Sequence, residues 1–346
     1  MKKPVKICLI TLSSLLVLLL MAAGAGFFLF TRFEEPPSSA STAEPVVFVV
    51  NRGESARAVG RRLEEAGLIR SHYVWDILAR LNTAYLKAGT YRLNTGLSQQ
   101  EIQDILIEGK QQLYPVTIPE GSTLKKTAAL FAEKGICTAA DFLAAAANPA
   151  IISRYHIPGS TMEGFLYPDT YFFEKPYSAE AVVRHLADTF FIKLGEINIK
   201  TSGEGALSPE EIYEKVIIAS IVEREYRAAD EAPLMAGVFE KRLAIGMPLQ
   251  SCATVEYIIT EIEGKAHPKT IYTADTEINN PYNTYRFKGL PPGPISEPGL
   301  VALKAAFFPA KTDYLYFRLV NAEEGRHYFS TTFDQHIKAA AFYIKN

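Results

Sequence analysis

Cysteine is nearly absent. Cys8, Cys137 and Cys252 are the three in 346 residues, and none stands in a Cys-x-x-Cys pair or a zinc-type spacing. That excludes a disulfide framework and a cysteine-based metal site, and leaves Cys137 with Cys252 as the one pairing to consider. Excess charge of one sign is equally scarce. The 36 basic and 38 acidic residues give a net charge of −2 with the signs mixed along the chain, so no basic surface asks for a nucleic-acid partner. Gly-x-Gly-x-x-Gly, P-loop, His-Glu-x-x-His and Gly-x-Ser-x-Gly motifs are all missing, and the six histidines are scattered. No metal or cofactor is expected. Apolar residues are plentiful. At 48% hydrophobic and 21% charged the chain can build a real core, and 346 residues exceed one typical domain.

The N-terminus carries the clearest physical signal. No charge occurs from Ile7 to Thr31, a run long enough to cross a bilayer as a helix. Lys2, Lys3 and Lys6 precede it and Glu34 and Glu35 follow, so positive-inside logic places residues 1–6 in the cytoplasm and the rest outside. The small residues Ala22 to Gly26 mimic a signal-peptide cleavage site. The apolar run continues through Phe27, Phe28, Leu29 and Phe30, which favours an uncleaved anchor. In either case the remainder is exported. Residues 32–46 are rich in Pro, Ser and Glu and read as a flexible linker.

A folded segment is expected over 47–114: a strand at Val47, helices at Glu54–Ala66 and Tyr73–Leu81, a strand at Lys87–Leu93, and a helix capped at Leu97 or Ser98. This βααβ order resembles a LysM-like module. Trp75 and Tyr91 are candidates for stacking on a sugar, although core packing suits both better. Residues 49–69 echo residues 117–137, matching Gly53 with Gly121, Ser55 with Thr123, Leu63 with Phe131 and Gly67 with Gly135. A repeated strand-turn-helix unit and two ordinary capped helices both fit that echo. The larger region, 115–346, reads as mixed α/β, so the whole chain is expected to be α+β.

One helix has candidate chemistry. Ser208, Pro209 and Glu211 form a capping box with Pro in the first position. Ile212, Val216 and Ala219 then define an inward stripe, and Glu223 falls on that stripe almost three turns after Ile212. A poorly solvated carboxyl there holds its proton toward neutral pH, as a general acid must. A frayed, solvated last turn beside Arg224, Glu225 and Arg227 is the alternative. Further on, Asn280-Pro-Tyr-Asn-Thr-Tyr285 and Gly289-Leu-Pro-Pro-Gly-Pro-Ile295 are too Pro-rich for helix or central strand. Such a rigid loop can present Asn amides and Tyr rings to a sugar, or be a plain structural loop.

Taken in order, EGFLYPDTYFF (163–173), IASIVEREY (218–226), FEKRLAIGMPLQS (239–251), PYNTYRFKGLPPGPISEPG (281–299), ALKAAFFPAKTDYLYF (302–317) and HYFSTTFDQH (327–336) resemble the YceG-like family of endolytic murein transglycosylases, also called MltG. The resemblance implies a peptidoglycan lyase anchored in the cell membrane. Its expected action is to cut MurNAc–GlcNAc bonds of nascent glycan strands and leave 1,6-anhydro ends, in company with the cell-wall synthesis machinery. It makes Glu223 the catalytic acid/base and Gln250, Tyr282, Asn283 and Tyr285 the substrate-binding candidates. Where the family commonly reads Thr-Asp-Pro-Thr after the Gln, this chain reads Ser251, Cys252, Ala253 and Thr254: either an Asp at 252 is not an obligatory second carboxylate, which is the favoured reading, or this member is altered in activity. Asp169, Glu163 and Glu225 are the available second acids.

Overall fold

The computed structural model of the chain describes residues 3–38, 45–82 and 85–342. It is a mixed α/β protein whose described strands pair antiparallel in three two-stranded sheets. The chain divides into two compact units, Met1–Leu113 and Tyr114–Asn346.

The first unit opens with α1 (Lys3–Glu34), whose stretch Leu16–Glu34 is long and apolar enough to cross a membrane. The linker expectation needs correction where it falls on described residues. Gln99 Nε2 donates to the Phe33 carbonyl (2.7 Å), Arg70 to the Pro36 carbonyl, and Ser38 N to the Thr95 carbonyl. Carbonyls that a free chain would give to water are thus taken up by the module, and 33–38 lies against it. Residues 39–44 lie outside the described residues.

The module itself runs β1 (Pro45–Val50), α2 (Ala56–Glu65), α3 (His72–Leu81), β2 (Gly89–Asn94) and α4 (Gln99–Glu108). β1 and β2 pair from Pro45↔Asn94 to Val50↔Gly89. Ser98 supplies the capping box of α4 together with Glu101, which settles the choice between Leu97 and Ser98. Leu63, Trp75 and Tyr91 are fully buried, so the two aromatic rings are core and not a sugar platform. Gly60 on α2 faces Trp75 so closely that an added Cβ would lie 2.3 Å from the indole Cδ1, while Trp75 Nε1 is pinned to the Ala56 carbonyl. Gly60→Ala should therefore overpack the unit and cost about 1–3 kcal/mol, read as a lowered urea midpoint.

The second unit comprises β3 (Tyr114–Thr117), α5 (Leu124–Glu133), α6 (Ala139–Ala146), α7 (Pro149–Arg154), β4 (Thr170–Phe173), α8 (Ala179–Glu196), α9 (Pro209–Glu225), α10 (Ala232–Ala244), α11 (Cys252–Tyr257), α12 (Leu300–Phe307), β5 (Tyr316–Asn321), β6 (Arg326–Ser330) and α13 (Phe333–Lys338). β3 pairs with β4 across α5, α6 and α7, so the second unit also begins with helices enclosed between two paired strands. The sequence echo is a structural one. Ser55 and Thr123 each cap their helix through the side chain, Leu63 and Phe131 are both wholly buried, and the amides of Leu68 and Ile136 close on those two residues' carbonyls. The core of this unit gathers on α9, where every residue from Val216 to Val222 is buried, with α10 and α12 packed on it. A helix enclosed on all sides reads as apolar all round, which is why the expected stripe of Ile212, Val216 and Ala219 is only part of its buried surface.

Candidate active site

Three segments meet at the C-terminal end of α9. The first is α9 itself, entered through the Ser208/Glu211 capping box with Pro209 in the first turn. It stops at Tyr226, whose backbone is extended, so Glu223 sits in the last helical turn where the core gives way to solvent. The second is the turn Pro119–Ser122 after β3, which Gly121 closes at φ +72°. The third is 294–299, leading into α12.

Hydrogen bonds strap these segments together. Ile295 N donates to Ser220 Oγ (3.0 Å) and Ser296 Oγ to the Ser220 carbonyl (3.0 Å), one turn before Glu223. Gly121 N donates to the Glu297 carbonyl (2.9 Å), and Glu297 N to the Ser122 carbonyl (2.7 Å). The result carries Gly299 to Glu223: its amide donates to Glu223 Oε2 at 2.9 Å. Gly299 is the residue preceding α12, so the carboxyl also meets the positive end of that helix.

Burial pushes the Glu223 carboxyl up to about 7; the Gly299 amide and the Tyr226 hydroxyl pull it down, and the negative charge of Glu120 pushes it further up. The Tyr167 hydroxyl, raised to about 12 by burial first and then by Glu120 and other carboxylates including Glu223, completes the surroundings. Glu120 was not among the acids singled out from the sequence. Its sequence signal is faint: it precedes the positive-φ glycine of the second repeat, at the place of Arg52 in the first.

The other sequence-derived candidates separate. Asn283 is wholly buried; its amide donates to the carbonyls of Thr276 (2.9 Å) and Ile278 (2.8 Å), and its oxygen accepts from Tyr285 N. This corrects its assignment as a substrate-binding residue: the side chain is closed to solvent and its amide group is spent bracing the loop. Tyr282 packs on Tyr257 with ring centroids 5.1 Å apart. Gln250 and Tyr285 come together elsewhere, lining a cavity of about 440 Å³ with Glu225, Arg242, Cys252 and Tyr316. Glu225 faces that cavity because a residue two positions on points to the other side of a helix. Cys252 Sγ lies 3.0 Å from the Tyr285 hydroxyl, and both Cys137 and Cys252 are free thiols.

Of the three acids considered as second partners, none faces Glu223 as Glu120 does. Asp169 is exposed and accepts from Thr170 N. Glu225 accepts from Ser251 Oγ within the second cavity. Glu163 is buried, taking Leu124 N (2.9 Å) and the Tyr257 hydroxyl (3.3 Å). Beside it Glu297, also buried, accepts from Leu166 N at 2.8 Å, and its Oε1 has no partner. Burial raises both carboxyls, with repulsion from Glu261 adding to it on Glu163 and repulsion from Glu163 adding to it on Glu297. No cluster of His, Cys, Asp and Glu among the described residues has metal-binding geometry.

A half-buried carboxyl raised to about 7, held by one amide and one hydroxyl at a helix end, has the chemistry that acid–base work requires. The chain belongs to the YceG-like family, whose model matches residues 48–341. It is 30% identical to an endolytic murein transglycosylase of Bacillus subtilis, over 93% of this chain and 91% of that one. It is 27% identical to a Streptococcus pneumoniae protein of the same name, over 96% of this chain, and spans 65% of that protein's length. A crystal structure of a YceG-like protein from Listeria monocytogenes is similar at TM-score 0.55 and 29% identity, over 86% of this chain and 99% of that one.

Proposed function

We propose that the chain is an endolytic murein transglycosylase, a lyase that cuts the bond between N-acetylmuramic acid and N-acetylglucosamine in peptidoglycan strands. The observation that carries this reading is Glu223, an acid balanced near neutrality at the edge of an open surface. Such a group can give a proton and take one back within a single turnover. In the first half Glu223 protonates the glycosidic oxygen, and the C1–O bond breaks. In the second, the muramyl C6 hydroxyl attacks C1 and returns its proton to Glu223, closing the 1,6-anhydro ring without water. The relatives of that name support the reading.

The finer reading assigns 47–114 as a LysM-like glycan-binding module and 115–346 as the catalytic domain. A cavity of about 650 Å³ in the first unit, lined in part by Asn51, Ser55, Asn82 and the exposed Tyr85, supports glycan binding by its polar and aromatic walls. Tyr282, Tyr285 and Gln250 are retained as substrate contacts. α1 is read as a single-pass anchor with its N-terminus in the cytoplasm, which sets the enzyme beside nascent strands and the machinery that makes them. Digesting uncrosslinked strands in ¹⁸O-water tests the reaction. Products one water lighter than reducing ends, carrying no ¹⁸O, are expected; ¹⁸O-labelled reducing ends would make the protein a hydrolase.

A further inference from the structure

Glu120 and Glu223 stand on either side of one glycine. The Gly299 amide donates to Glu223 Oε2 at 2.9 Å, and an ideal Cβ built on Gly299 would lie only 1.9 Å from Glu120 Oε1. With standard backbone bond lengths, these contacts hold the two carboxylates within roughly 7 Å of each other. The neighbouring Gly121 also borders Glu223: a Cβ there would lie 3.6 Å from Glu223 Cγ. The strapping of Gly121 and Ser122 to Glu297 fixes the backbone of this turn beside the segment that carries Gly299.

Glu120 has no structural duty that explains it. It is exposed, and among the described residues its side chain makes no hydrogen bond or ion pair. The groups facing Glu223 are Glu120 from the turn after β3, Tyr226 from its own helix end and Tyr167 from the segment before β4. None of these is a cation. A negative charge set beside a poorly solvated acid with no counter-ion is a cost to folding, and costs of this kind collect at functional sites.

We propose that Glu120 is the second functional carboxylate of this centre, its negative charge facing the anomeric carbon and stabilising the positive charge that develops there as the glycosidic bond breaks. The inference rests on the transglycosylase reading. As Glu223 gives its proton to the leaving oxygen, the bonding pair departs with that oxygen and C1 and the ring oxygen share a positive charge. Glu120 lowers the energy of that ion by proximity, without forming a bond. The C6 hydroxyl then adds to C1 and its proton goes to Glu223, so atoms and charge balance with no further reactant.

The test compares Glu120→Gln, Glu120→Asp and Glu223→Gln in the full chain in detergent, on soluble strands, with anhydro ends counted. Glu120→Gln should lower kcat by roughly 30- to 100-fold with little change in KM, as expected for a lost electrostatic contact made in the transition state. Without the repelling charge the alkaline limb of its kcat/KM profile should move to lower pH. Glu120→Asp should recover part of both effects. A Glu120→Gln protein with unchanged kcat and an unmoved limb, beside an inactive Glu223→Gln, overturns the role of Glu120 and leaves the transglycosylase reading standing. A lowered melting temperature with an unmoved limb makes Glu120 a turn residue and likewise overturns it. If Glu223→Gln also cleaves, the reading beneath the inference fails instead.

Discussion

Glu223→Gln should reduce strand cleavage by about 10³-fold or more while leaving the fold intact. The amide oxygen of glutamine can still accept from the Gly299 amide, so the junction of α9 and α12 keeps its bond. What disappears is the exchangeable proton. In the proposed mechanism the acid form is the active one, and Glu223 is raised to about 7, chiefly by burial, so kcat/KM should fall as pH climbs through that value. The variant should also match or exceed wild-type stability at pH 8, because it removes a half-buried group that resists ionising. Cleavage reduced less than tenfold would move the acid role to another residue.

The second large effect is on stability. Glu163 is raised to about 8 and Glu297 well above 4.5, in both cases by burial first, with repulsion from Glu261 on the former and from Glu163 on the latter. A carboxyl raised in the folded state keeps a proton that the unfolded chain releases. Its stabilising contribution is therefore complete below pH 4.5, its unfolded value, and is lost as pH rises through the folded one. Each proton so retained tilts the stability by about 1.4 kcal/mol per pH unit within that window. Urea unfolding between pH 5 and pH 8 should show stability falling with pH, and Glu163→Gln should flatten the slope. A slope that stays the same in Glu163→Gln and Glu297→Gln would mean that both acids are ionised in the folded protein.

Much of the framework was legible because its determinants are local. The capping box at Ser208, Pro209 in the first turn, and the glycines closing α2 and α5 act over three or four residues, so sequence spacing reports them. The echo between 49–69 and 117–137 belongs with these, since the same short signals build the same strand-turn-helix twice. Helical phase placed Glu223 at the edge of the buried face of α9 for the same reason. The loop 280–299 was legible as a rigid loop, but not which of its side chains face outward. Asn283 looked like a sugar ligand by residue type and proved to be the loop's own brace.

Local order thus determined the apolar N-terminal helix, the succession of elements and the helix end that carries the acid. Tertiary structure alone decided which groups share a site. Glu120, Glu223 and Gly299 lie far apart in the chain and meet through backbone hydrogen bonds between loops. Gln250 and Tyr285, equally sugar-like on paper, were carried with Glu225 to the opposite side of α9. Spacing encodes contacts along one helix or turn; contacts between distant loops depend on how the packed elements close on each other, and no short pattern records that closure.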